Sequence, residues 1–215
     1  MRKLIKSIFG LVLFVVIVCA GAIYLVYNYM YPMQYKDEIL KYSSENEIDP
    51  YLVYAIINVE SGFDPNVTSN AEAKGLMQIM DITADWAREH IELDALTTDD
   101  YFVPDTNIKI GCWYLKKLST MYDNDVSKIA AAYNAGTGNV NKWIAEGIDF
   151  TSEEIPFEET RKYVEKVISN IEVYKVLYGD NYSKEDAINA VSKIVQVAVE
   201  KLSNKTNKLI ENFNK

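Results

Sequence analysis

Apolar residues run from Ile8 to Val26 without one charged side chain, 19 positions preceded by Arg2, Lys3 and Lys6. As a helix rising 1.5 Å per residue this run is roughly 28 Å long, enough to cross the hydrocarbon of a bilayer. The basic flank predicts a cytoplasmic N-terminus and places the remainder on the far side. A cleaved signal peptide is the rival reading, because Ala20-Gly21-Ala22 resembles a cleavage site. Ile23, Tyr24, Leu25 and Val26 continue the apolar run past it, which favours an anchor. Residues 1–27 are therefore read as a cytoplasmic flank and transmembrane helix, and 28–36 as a juxtamembrane linker. Cys19 is an apolar membrane residue in this reading.

Beyond the linker the apolar positions recur at helical spacing, and no alternating pattern predicts a strand. Asp49-Pro50 reads as an N-cap and first helical position, followed by Leu52, Ile56 and Val59 up to a stop at Gly62. Asp105 is the predicted cap of a helix bearing Ile108, Cys112, Leu115 and Leu118. Asp125 is the predicted cap of another through Ile129 and Ala132, ending near Gly136. A further helix is predicted from Glu158 to about Tyr178. Ser183-Lys184-Glu185-Asp186 then reads as a capping box for a last amphipathic helix with Ile188, Val191, Val195, Ala198 and Leu202 on its apolar face. The fold class is mainly α.

Charge and composition narrow the chemistry. Outside residues 1–27 the chain has 19 basic against 31 acidic residues, a net charge of −12. Nucleic-acid binding rests on phosphate neutralisation by basic side chains, so nucleic acid is excluded as a partner. Two cysteines and the single His90 provide neither a zinc site nor a Ser-His-Asp triad. No metal or cofactor is expected, and catalysis falls to carboxylates.

Glu60 is the carboxylate whose position matters. It lies in the last turn of its predicted helix, where the negative end of the backbone dipole and apolar neighbours such as Val59 and Phe63 disfavour ionisation. A carboxyl group that keeps its proton can protonate a glycosidic oxygen and later act as base. Position alone leaves the solvated reading ahead, since the chain has 31 carboxylates. Asp64, before Pro65, is a turn residue by type and the candidate second carboxylate of a hydrolase.

Four ordered motifs change that balance: Glu60-Ser61-Gly62-Phe63, Gly75-Leu76-Met77-Gln78, Ala132-Tyr133-Asn134-Ala135-Gly136, and Pro156 through Val164. With them the chain resembles the catalytic domain of the soluble lytic transglycosylases, a lysozyme-like helical fold that cleaves peptidoglycan between N-acetylmuramic acid and N-acetylglucosamine. The resemblance implies a catalytic domain over residues 37–180 and leaves 181–215 as a helical extension. It implies Glu60 as sole acid and base, with the muramic acid 6-hydroxyl closing onto the anomeric carbon to give a 1,6-anhydro end. Intramolecular attack of this kind has an effective molarity on the order of 10⁵ M or more.

The same resemblance assigns the substrate site. Gln78 is expected to supply amide donors and an acceptor, Met77 an apolar wall, and Ser69 a hydroxyl. Tyr133 and Asn134 line the cleft, and Tyr163 holds the Glu60 carboxyl. Glu159 and Arg161 stand between substrate contact and an exposed, ion-paired helix start. Glu72 occupies a position where the family usually has glycine, and its charge is expected to raise the Glu60 pKa if the two approach. Asp81 replaces a common proline after Met80. The partners implied are peptidoglycan glycan strands and the cytoplasmic membrane. The last helix is open to packing back on the domain, self-association, or docking a cell-wall machinery partner. A hydrolytic muramidase and a non-catalytic wall-binding protein are the alternative functions.

Overall fold

The computed structural model describes residues 2–93, 97–151, 153–179 and 183–213. These form two units, Met1–Gln34 and Tyr35–Lys215. In the first, helix α1 (Arg2–Leu25) continues without interruption into a single wider turn, Val26–Met30. The segment Phe9–Met30 is 22 residues long and contains an 18-residue stretch with a mean hydropathy of 2.8, none of which is buried against protein. The helix thus runs through residues 28–30, where a linker was expected, and the Asn28 amide donates to the Tyr24 carbonyl at 2.9 Å.

In the second unit α3 (Pro50–Glu60) is the central element. Leu52 through Ile57 are six consecutive buried residues, so this helix is enclosed on nearly every side. The helices α2 (Lys36–Glu45) and α8 (Glu158–Tyr178) pack on it. Next to α2 and α8 lie α5 (Pro104–Met121) and α6 (Val126–Ala135), with α4 (Asp81–Arg88) on α5 and α7 (Thr137–Ala145) on α6. No strand occurs among the described residues. The nearest approach is a pair of isolated bridges, Thr68 with Lys74 and Lys74 with Ile79, which fold the loop between α3 and α4.

Side-chain caps mark some of the helix starts. Asp49 accepts from the Tyr51 N–H, Asp125 accepts from the Lys128 N–H, and Pro50 stands at N1, all as expected. Asp105 does not cap its helix: α5 begins one residue earlier at Pro104, whose fixed φ suits N1, with Val103 as N-cap. The Asp105 carboxylate instead accepts from the Tyr42 hydroxyl at 2.8 Å, joining α2 to α5. The last helix, α9 (Lys184–Phe213), starts on the expected box: Asp186 Oδ2 accepts from the Ser183 N–H and Ser183 Oγ accepts from the Asp186 N–H. The α9 helix packs on α8. The expected boundary at 180–181 lies outside the described residues. The helices α2, α4 and α7 were not individually predicted.

Candidate active site

The end of α3 is built to stop at Glu60. Gly62 and Phe63 follow at φ +59° and +69°, left-handed backbone that ends the helix, and the Ser61 N–H closes on the Ile57 carbonyl. The Ser61 hydroxyl donates to the Leu76 carbonyl at 2.8 Å, stapling the first motif to the second. Asp64 is exposed and accepts from the Asn66 N–H at 2.9 Å, the turn role its residue type predicted.

The loop carrying the second motif is fixed from beneath by Asn107 of α5, whose amide is buried. Its Oδ1 accepts from the Met77 N–H at 2.7 Å, and its Nδ2 donates to the carbonyls of Tyr101 at 2.7 Å and Lys74 at 2.9 Å. Gly75 permits this approach: at φ +74° a Cβ there would lie 2.3 Å from the Tyr101 oxygen. Lys74, itself buried, pairs with Asp81 at 2.7 Å, so the residue replacing proline anchors the loop to α4. Glu72 stands at φ +64°, a region glycine occupies without strain.

Around these elements opens a cleft of about 620 Å³ lined by Glu60, Ser69, Gln78, Tyr133, Asn134 and Glu159. Tyr114, Ile79, Met80, Ile82 and Thr83 complete much of its wall and were not among the expected site residues. Two expected residues lie elsewhere. Met77 has no exposed surface, and its sulfur occupies the space above Gly111, where even one methyl would clash at 2.2 Å. It is a core residue, not a cleft wall. Tyr163 is buried and donates to Glu60 Oε1 at 2.6 Å, supporting the carboxyl from outside the cleft.

The cleft residues are already partly committed. The Tyr133 hydroxyl donates to the Met77 carbonyl at 2.8 Å, and its ring lies 5.4 Å from that of Tyr114. The Gln78 amide nitrogen donates to the carbonyls of Gly75 and Val67, so only its oxygen remains to face a ligand. Asn134 is the converse: its oxygen accepts from Thr160 at 2.8 Å, leaving its NH₂ group. Ser69 Oγ accepts from the N–H groups of Ala71 and Ala73, which frees its own hydrogen. Glu159 is exposed in the first turn of α8. Arg161 donates to the carbonyls of Glu153 and Ile155, pinning the preceding loop.

Burial pushes the Glu60 carboxyl up to about 7, while the Tyr163 hydrogen bond, which favours the anion, draws it back. Burial is the cause, and Glu72 plays no part in the shift. Burial likewise holds the Tyr133 and Tyr163 hydroxyls well above their usual range, reinforced by the Glu60 charge, so both remain donors. Among the described residues no group of three or more His, Cys, Asp or Glu side chains gathers as a metal site.

Comparison with known proteins places this arrangement. The transglycosylase SLT domain matches residues 37–155, more than half of the chain. The soluble lytic murein transglycosylase of Escherichia coli (strain K12) is 36% identical over 156 residues, 70% of this chain and 24% of that protein. The Salmonella typhimurium protein of the same name is 35% identical over 155 residues, 69% of this chain and 24% of that protein. The chain thus spans about a quarter of the length of these relatives. An inactive mutant of lytic transglycosylase Slt from Pseudomonas aeruginosa superposes with a TM-score of 0.66 at 29% identity, covering 73% of this chain and 26% of that one. The 70 kDa soluble lytic transglycosylase of Escherichia coli gives 0.65 at 36% identity, covering 70% and 25%. A glutamate closing a buried helix, an amide-pinned loop beside it and a tyrosine behind it thus sit in a domain of known lineage, and this chain belongs to the transglycosylase SLT domain family.

Proposed function

We propose that the chain is a membrane-anchored peptidoglycan lytic transglycosylase, with Glu60 as its general acid and then its base. The observation that carries this reading is the Glu60 carboxyl itself, at the cleft with its pKa raised to about 7 and one oxygen held by Tyr163. Protonated Glu60 gives its hydrogen to the glycosidic oxygen as the bond to the anomeric carbon of N-acetylmuramic acid breaks. The 6-hydroxyl of that sugar then bonds to the anomeric carbon, and its proton passes to the Glu60 carboxylate, restoring the acid. No water is consumed.

The remaining lining supplies binding. The Gln78 oxygen is an acceptor and the Asn134 NH₂ a donor, a pair matched to the N–H and C=O of an acetamido group. Ser69 donates to a sugar hydroxyl, the Tyr133 ring offers a face for a pyranose, and Glu159 accepts from hydroxyls at the rim. The names of the murein transglycosylase relatives support a glycan-strand substrate. In the organisation we propose, residues 1–27 are flank and anchor, 28–36 a tether, 37–180 the catalytic domain and 181–215 a helical extension. The apolar segment Phe9–Met30 behind Arg2, Lys3 and Lys6 supports anchoring, with the N-terminus cytoplasmic and the cleft on the outer face of the membrane.

Digestion of purified peptidoglycan by the full chain tests the reading. The muropeptides released should be one water lighter than hydrolytic products, and Glu60→Gln should release none. Reducing ends of full mass would assign a hydrolytic muramidase, and unimpaired release by Glu60→Gln would remove the acid from position 60.

A further inference from the structure

The α9 helix has two apolar faces, of which its own domain uses one. Ala190 is buried where α9 packs on α8, and Lys193 with Glu172 and Lys166 with Glu200 form ion pairs alongside. On the other side Ile188, Val191, Val195, Val199 and Leu202 are 69%, 60%, 56%, 60% and 65% exposed. Isolated exposed aliphatics are ordinary, but five in line on one helix form a contiguous patch of the kind that marks an interface.

The order of these residues indicates what covers them. Val191 and Val199 lie four positions either side of Val195, and Ile188 and Leu202 seven, so the stripe reads alike from both ends. A stripe symmetric about its centre is self-complementary under a two-fold axis perpendicular to the helix. That pairing sets Val195 against its own copy, Val191 against Val199, and Ile188 against Leu202. Charge selects the antiparallel direction. The first turn of α9 carries Glu185 and Asp186 against Lys184, while residues 200–208 carry Lys201, Lys205 and Lys208 against Glu200. Antiparallel pairing brings acidic ends to basic ends and opposes the helix dipoles, whereas parallel pairing sets like beside like. We infer that α9 is a homodimerisation element, its stripe covered by the same stripe of a second copy of this chain, antiparallel and centred on Val195. The cleft plays no part, so the dimer stands or falls independently of the catalytic reading.

Cysteine cross-linking of the full chain in dilute lipid vesicles, in a Cys19→Ala background, decides it. Val195→Cys should give a disulfide-linked dimer about tenfold faster than Asn189→Cys, which is exposed but off the stripe, because pairing raises the local thiol concentration only on the axis. Adding Val199→Glu to Val195→Cys should suppress that dimer while the chain keeps its helical circular dichroism, since Val199 is exposed in the single chain. Equal cross-linking at the two positions would overturn the proposal. So would a monomeric Val195→Cys chain, whether its thiol is shielded from a water-soluble maleimide, which indicates lipid or another protein on the stripe, or reacts freely.

Discussion

At Glu60 the proton balance fixes the sign of the pH dependence. The acid must start protonated, so kcat/KM should fall as pH rises past the folded pKa of about 7. Tyr163 lowers that pKa by stabilising the anion, so Tyr163→Phe should move the alkaline limb to higher pH, with a rate loss of roughly tenfold from poorer positioning. A pH–rate profile of both proteins measures the displacement; a limb that stays in place or moves to lower pH would show that the hydrogen bond does not bear on the reacting carboxyl. The sequence carried much of this. Glu60 is legible as the acid only together with the four ordered motifs, since its helix-end position alone favours a solvated side chain, and Asp64 before Pro65 is legible as a turn. Hydrogen-bond commitments were not legible: which half of the Gln78 or Asn134 amide faces the cleft depends on Val67, Gly75 and Thr160, which lie there only in the folded chain.

Among the elements, the loop from Asn66 to Met80 is the most dependent on a single support. Asn107→Ala removes three buried hydrogen bonds and leaves the Met77 N–H without its acceptor, although the Lys74 carbonyl keeps the Ile79 N–H. The change should cost about 2–4 kcal/mol in urea unfolding and abolish glycan cleavage. A cost below about 1 kcal/mol would show that the loop holds its shape without α5. Helix ends marked by local chemistry, at Asp49, Asp125 and Ser183, were readable because the cap and the N–H it serves lie within three residues. Asp105 was misread because its partner, Tyr42, is 63 residues away. Met77 was misread because the room it fills is made by Gly111 on another helix. A signal for Asn107 did exist: it is an amide beside Ile108 on the face of α5 that also carries Gly111 and Leu115.

For the whole molecule, the catalytic unit and the apolar helix predict a protein confined to a surface. The full chain expressed in bacteria should sediment with membranes, resist alkaline extraction and retain Met1 through Ala22. A soluble form beginning near Ile23 would establish cleavage and remove the anchor. Helix, basic flank and acidic remainder were all visible in sequence. For the last helix the sequence leaves packing, self-association and docking all open, because only the fold shows which of its apolar faces α8 covers.

All of these expectations depend on a carboxyl group at position 60 that keeps its proton near neutrality. Titration of ¹³C-carboxyl-labelled glutamate by NMR, with Glu60→Gln identifying the resonance, measures this directly. A midpoint near 7 for that resonance is predicted. A midpoint near the ordinary glutamate value of about 4.3 would contradict the account, since the group would then be an anion with no proton to give.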